Sequence, residues 1–160
     1  AGKYVERYDD GTVSKVAFYK NGLLNGDYKE FHKYGGLVKL VSYKNGKAEG
    51  PVSHYYKDGT IKAELVLLNG KKNGLSTLYY PDGKVKAEIE YKDGLRNGKQ
   101  VLYYNTGQVY EVSNFWLGEK KGVSTTYSKT GVPIGGTATE RATDNYKPKT
   151  EVTDEGYFSY

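Results

Sequence analysis

Hydrophobic and polar positions along the chain alternate in short runs, and the runs restart at a fixed interval. Val13, Leu37, Ile61, Val85 and Val109 recur at one position. Ala17, Val41, Leu65, Ile89 and Ser113 follow four residues later, and Tyr19, Tyr43, Leu67, Tyr91 and Phe115 six residues later. Between them, in the later units, stand Lys62, Glu64, Lys86, Glu88 and Glu90. A period of two places the first set on one side of a strand and the charged set on the other, so the spacing predicts strands with one packed and one wet face. Upstream of each such strand lies an aromatic pair. Phe31, Tyr55, Tyr79, Tyr103 and Tyr127 hold one position, and Tyr8, His32, Tyr56, Tyr80 and Tyr104 hold the next. Adjacent residues of a strand point opposite ways, so both faces are expected to carry aromatic rings.

The interval is 24 residues, and glycine marks it in three registers. Gly2, Gly26, Gly50, Gly74, Gly98 and Gly122 form one series, and Gly11, Gly35, Gly59, Gly83, Gly107 and Gly131 the second. Gly22, Gly46, Gly70, Gly94 and Gly118 form the third. The second series closes sequences such as Lys57-Asp58-Gly59 and Pro81-Asp82-Gly83, where Gly takes a positive φ in a tight turn. The third and first series bracket segments such as Asn45-Gly46-Lys47-Ala48-Glu49-Gly50, which read as a wider turn. Each unit is therefore a strand, a tight turn, a second strand and a wider turn. Glycine interrupts every stretch long enough for an amphipathic helix.

The expected fold class is all-β: tandem 24-residue β-hairpins forming an elongated, twisted, antiparallel open sheet with a C-terminal capping segment. Two strands per repeat at about 4.8 Å each give about 10 Å per repeat, and a sheet on the order of 50 Å long. A lone hairpin is barely stable in water, so neighbouring units must share a core. Residues 1–136 make about five and a half repeats. Residues 137–160 leave the pattern and read as a cap over the open sheet edge, with a flexible tail as the rival reading.

Composition narrows the function classes. The chain has 24 Lys and Arg against 19 Asp and Glu, for a net charge of +5. Before residue 137 there are 21 bases and 14 acids, and after it three bases and five acids, so the surplus belongs to the repeats. The bases are scattered over turns and not gathered in a stripe, which argues against nucleic acid. With no Cys there is no disulfide, thiolate nucleophile or Cys-based zinc site, and the redox compartment stays open. No apolar run approaches the roughly 20 residues of a membrane helix. The chain begins at Ala1, so both a cytoplasmic location and export after loss of a signal fit it, and further repeats before Ala1 fit equally.

The units Gly50-Pro-Val-Ser-His-Tyr55-Tyr56-Lys-Asp-Gly59-Thr-Ile-Lys-Ala-Glu and Gly74-Leu-Ser-Thr-Leu-Tyr79-Tyr80-Pro-Asp-Gly83-Lys-Val-Lys-Ala-Glu resemble the MORN-repeat variant. That pattern has a Tyr-Tyr pair, a turn Gly, an alternating strand, then Asn-Gly-Lys and a closing Gly. The likeness runs over residues 2–131. It extends to the YwqK-like family, described as antitoxin components, and so implies neutralisation of a partner toxin by binding. More widely the resemblance implies protein scaffolding or contact with lipid headgroups. Arg7, where Tyr is usual, and Tyr34-Gly35-Gly36, in place of an acidic turn, depart from the pattern. They make the N-terminal end a candidate for specialised contacts.

A binding or scaffold protein that engages a protein partner is the expected function, and no catalytic residue, metal ligand or cofactor is assigned. His32 and His54, the two histidines, sit on corresponding strands of neighbouring units about 10 Å apart, too far to share one ion. Glu64, Glu88 and Glu90 beside Lys62 and Lys86 read as a solvated face. The candidate partner-binding residues are Tyr8, His32, Tyr56, Tyr80 and Tyr104, together with Phe18 and Leu40. Phe18 and Leu40, with Val16 and Val38, bring an apolar patch to a face that is charged in later repeats. The ladder of Tyr55, Tyr79, Tyr103 and Tyr127 is expected to hold the sheet together. Carbohydrate stacking on tyrosines is the alternative, and peripheral contact with an anionic membrane ranks below it.

Overall fold

The structure is a computed structural model that describes residues 1–135. The expected tail at 137–160 lies outside the described residues. Fourteen strands follow in chain order: β1 (Gly2–Arg7), β2 (Val13–Lys20), β3 (Leu23–Leu24), β4 (Gly26–Phe31), β5 (Leu37–Lys44), β6 (Lys47–Tyr55) and β7 (Ile61–Leu68). They continue with β8 (Lys71–Lys72), β9 (Gly74–Tyr79), β10 (Val85–Lys92), β11 (Leu95–Tyr103), β12 (Val109–Trp116), β13 (Glu119–Tyr127) and β14 (Pro133–Gly135). The described residues contain no helix. All strands belong to one antiparallel sheet in sequence order, with the short β3 and β8 branching from β2 and β7. The all-β, open-sheet expectation is met.

The tight turn is the same in each unit. The Gly11 amide donates to the Tyr8 carbonyl and the Tyr8 amide to the Thr12 carbonyl, and the pattern repeats at Tyr56, Tyr80, Tyr104 and Ser128. Asp10 fixes its turn by accepting from the Thr12 amide and hydroxyl, and Asp58 does the same with Thr60. Those bonds hold both carboxyls below the usual carboxylate range.

The second connection is tighter than the sequence suggests. Lys44 already pairs with Lys47 across Asn45-Gly46, whose φ values are 49° and 81°. Two successive positive φ angles make the two-residue turn that matches strand twist, which explains the Asn-Gly preference. The chain then pairs at once, and Gly50, Gly98 and Gly122 of the first glycine series sit inside a strand, at a bulge. Gly98 shows why side chains are excluded there: φ is +116°, and an added Cβ would lie 2.0 Å from a Glu90 carboxylate oxygen. That carboxylate accepts from the Lys99 amide at 2.7 Å.

A second bulge changes which residues share a face. Glu6 pairs with Lys15 but Arg7 pairs with Val13, so Ser14 is left over. The same slip omits Val38, Lys62, Lys86 and Tyr110 in the following hairpins. Paired residues share a face and neighbours in β1 alternate, so Val13 lies opposite to Lys15. The expectation that Val13, Leu37, Ile61, Val85 and Val109 join the packed face is therefore corrected: the bulge turns them to the other side.

The buried residues gather on a single face. Val41, Val52, Leu65, Ile89, Ala63, Ala87, Leu78 and Leu102 form its centre, with Tyr91, Tyr104 and Tyr110 toward the C-terminal end. We call it the closed face and the other the open face. One position in the turns is out of keeping with its neighbours. Leu117 (φ 48°) occupies the place held by Asn21, Asn45, Asn69 and Asp93. A branched side chain there is strained by about 1 kcal/mol relative to asparagine. Leu117→Asn should raise stability by about 0.5–1 kcal/mol, read as a higher urea midpoint at constant slope. An unchanged or lower midpoint would show that the turn carries no such strain.

Candidate functional site

The closed face owes its continuity to the tyrosine ladder at its turn-proximal margin. Between β7 and β9 the ladder ends at Ala63–Leu78, because Lys62 bulges out. The next carbonyl, that of Tyr79, accepts instead from the Tyr56 hydroxyl at 2.7 Å. Tyr8 reaches Phe31 (2.5 Å), Tyr80 reaches Tyr103 (2.6 Å) and Tyr104 reaches Tyr127 (2.8 Å) in the same way. Each hydroxyl spans the intervening strand and ties one hairpin to the next. At His32 the side chain is an imidazole, with its Nε2 buried and no hydrogen-bond partner there. That seam alone among Tyr8, His32, Tyr56, Tyr80 and Tyr104 lacks the hydroxyl staple. At the opposite margin, turn amides are held by the preceding repeat: Asn45 donates to Asn25 Oδ1 and Leu117 to Asn97 Oδ1.

This geometry redistributes the expected contact residues. Tyr104 is fully buried, so it offers no surface to a partner. Tyr8, His32, Tyr56 and Tyr80 lie half-buried on the same closed face, and the four tyrosine hydroxyls are engaged. Lys62 and Lys86 stand over the rings of Tyr56 and Tyr80 at 5.6 and 5.9 Å. Stacking of sugars on this row would have to displace those lysines. Phe18 and Leu40 lie on the open face, as does Val16, whereas the bulge carries Val38 to the closed side. The expected set is thus split between two faces and does not form one surface.

Across the closed face runs a row whose chemistry changes along the sheet. Glu6, Lys15, Glu30, Lys39 and His54 pair in turn, followed by Ala63, Leu78, Ala87 and Leu102, then Glu111 and Thr126. Lys15 approaches Glu6 at 3.5 Å and the well-buried Lys39 approaches Glu30 at 3.7 Å. Glu30 also accepts from Tyr28 at 2.6 Å, and burial together with that carboxylate raises the Tyr28 phenol. A cleft of about 480 Å³ opens beside this charged stretch, lined in part by Arg7, Tyr8, Ser14 and Lys33. At the inner end of the charged row, burial pushes His54 down to about 4, aided by Lys39 and Lys62 and opposed by Glu30. Among the described residues, no group of three or more His, Asp or Glu could hold a metal ion.

The open face carries what sequence reasoning placed elsewhere. Tyr55 pairs with Ile61, Tyr79 with Val85 and Tyr103 with Val109, making an aromatic and aliphatic row. All six are half-buried. The Tyr79 hydroxyl donates to Glu64 at 2.7 Å and the Tyr103 hydroxyl to Glu88. Burial and those carboxylates push both phenols up to about 12. Beside Glu64, a shallow cleft of about 190 Å³ is lined by Pro51, Ser53, Val66, Leu75 and Thr77. Val66 and Leu75 are 45% and 48% exposed. The sequence held no plain signal for this row, because unbroken alternation in residues 85–91 conceals the slip at Lys86.

These features define a class, a single-sheet protein of tandem β-hairpin repeats with one closed and one open face. The family model described as the MORN repeat variant matches residues 48–69, 72–93 and 96–116, which are three tandem segments at the 24-residue interval. Repeats of this type are generally binding modules for proteins or membranes. No curated protein matches the chain. The hairpins flanking the matched segments repeat the same turn and register geometry.

Two outcomes follow. Tyr80→Phe should cost about 1 kcal/mol, the net worth of one hydrogen bond with its carbonyl left behind, measured by denaturant unfolding. No loss would mean that the hydroxyl does not tie the repeats. His54 in the native chain resists protonation until about pH 4, whereas the unfolded chain takes up a proton near its ordinary 6.5. Its contribution is therefore complete above pH 6.5 and lost as pH falls toward 4, on the order of 2 kcal/mol once the part of the group still screened by water is discounted. His54→Leu should flatten stability between pH 7 and 5; equal slopes for both proteins would remove His54 as the cause.

Proposed function

We propose that the chain is a non-catalytic protein-binding module and that its open face is the contact surface. The observation that carries this reading is the segregation of side chains. The closed face holds the buried core and the hydroxyl staples, while the open face presents Val66, Leu75 and the Tyr55–Tyr79–Tyr103 row without a second layer among the described residues. Aromatic rings fixed by packing and hydrogen bonds make good anchors, because little rotamer freedom remains to be lost on binding. Phe18 and Leu40 continue this face toward the N-terminal end. Capture of a toxin, as an antitoxin or immunity protein does, is one form of the same activity.

Val66→Lys with Leu75→Lys should abolish capture of a partner from the source organism while leaving the melting temperature within a few degrees. Tyr19→Lys, exposed on the closed side, should keep it. Capture lost through Tyr19→Lys and retained by the open-face variant would reverse the assignment.

A further inference from the structure

The open face of the central hairpins carries two parallel ladders with the same step. One is the row of Tyr55–Ile61, Tyr79–Val85 and Tyr103–Val109 pairs. The other is acidic. Ser53, Glu64, Thr77, Glu88 and Val101 pair in succession, so Glu64 and Glu88 stand on one row with a single strand between them. Two strand spacings give about 9.6 Å between equivalent atoms of successive hairpins. Each carboxylate is fixed by a tyrosine hydroxyl, from Tyr79 and Tyr103 respectively. The ion pairs at Glu6, Glu30, Asp82, Glu111 and Glu119 include neither of these two. Two aligned carboxylates fixed by phenols make a regular acidic ladder on this face of a chain whose net charge is +5.

The step selects the conformation of what could lie across them. A polyproline II segment turns once in three residues at about 3.1 Å each, so it repeats every ~9.3 Å. That agrees with the hairpin step to within ~0.3 Å. An extended strand repeats its side chains every ~6.7 Å and falls out of phase at the second hairpin. An α-helix returns to the same face after seven residues, at ~10.5 Å, and drifts by about 1 Å per hairpin. Aromatic rows are also the surfaces on which proline-rich segments dock, because the ligand is already ordered and its rings pack flat against the tyrosines.

We propose that the open face of residues 51–112 binds a polyproline II segment with a lysine or arginine at every third position. The ligand lies across the strands, its prolines against Tyr55, Tyr79 and Tyr103 and its cations on Glu64 and Glu88. This rests on the reading of the open face as the contact surface and specifies the chemistry of the partner.

The test is fluorescence anisotropy with labelled (Arg-Pro-Pro)4, its acidic counterpart (Glu-Pro-Pro)4, and a peptide of identical composition with the four arginines clustered. Binding of (Arg-Pro-Pro)4 is expected, weakened by salt and at least about tenfold tighter than either control. Glu64→Gln with Glu88→Gln keeps an acceptor for each tyrosine hydroxyl, and should reduce affinity at least about tenfold with no change in circular dichroism or melting. Equal binding of the clustered peptide, or no effect of the double substitution, would overturn the proposal. So would a partner whose capture is abolished by Val66→Lys with Leu75→Lys while (Arg-Pro-Pro)4 fails to bind. That last result leaves the open-face reading standing, whereas loss of both peptide and partner only through Tyr19→Lys would sink that reading as well.

Discussion

Everything in this fold depends on joining hairpins that cannot stand alone. A two-stranded ribbon is marginal in water, and here each is joined to the next by a backbone ladder that a bulge cuts short. The tyrosine hydroxyl that reaches the first carbonyl past the bulge continues the ladder by other means. The bulge and the tyrosine are therefore one device. The extra residue swings a side chain onto the closed face, as Lys62 and Lys86 do, and leaves a carbonyl to be bonded. The ring that bonds it fills the space beneath that side chain. Mutual dependence of this kind couples neighbours, so stability in such an array is a matter of seams as much as of units.

One layer imposes a second constraint. A sheet with helices or another sheet on it can hide both faces, but a single layer hides only one. Ala63, Leu65 and Leu67 of β7 and Ala87 and Ile89 of β10 sit on the closed face, and the open face retains apolar groups that nothing in the described chain covers. Glu64 and Glu88 keep that face hydrated while their bonds to Tyr79 and Tyr103 hold the rings in place. The result is a surface that is apolar in its rows, polar between them, and stiff.

Much of this was legible in the sequence, and the parts that were not share a cause. Glycine spacing and the Asn-Gly pairs identify the repeat, the turns and the antiparallel order, because only a few residues tolerate positive φ and their periodicity cannot be mistaken. Strand register is different. Val85, Ala87, Ile89 and Tyr91 look like one face, and no residue between Val85 and Ala87 announces a bulge. The slip at Lys86 turns Val85 to the open face and pairs it with Tyr79, which stands there by alternation from the buried Leu78, so the open row gains its aliphatic half. The row of Tyr56 and Tyr80, expected at an interface, is the staple, and the row of Tyr55 and Tyr79, expected to be the staple, lies open. Strand pattern alone cannot fix this, since one inserted residue inverts every assignment beyond it.

The row from Glu6 to Thr126 adds a direction to an otherwise repetitive object. In the central hairpins Ala63, Leu78, Ala87 and Leu102 bury apolar surface, whose removal from water stabilises at about 25 cal/mol per Å². In the first two hairpins the same positions hold Glu6 and Lys15, whose attraction is screened by water, and Glu30 and Lys39, whose attraction is largely offset by the cost of dehydrating them. His54 marks the boundary, and His32 removes a hydroxyl staple at that same seam. Both changes weaken one joint, between the hairpin of β4 and β5 and that of β6 and β7. A linear array opens at its weakest seam, so the N-terminal pair of hairpins should behave as a unit looser than the four that follow. The open-face row crosses this joint and changes with it, from Tyr55–Ile61 to Phe31–Leu37, where no phenol is available to hold a carboxylate. The stiff surface thus coincides with the well-joined hairpins, as expected if the seams that stabilise the closed face are also what keep the open face in order.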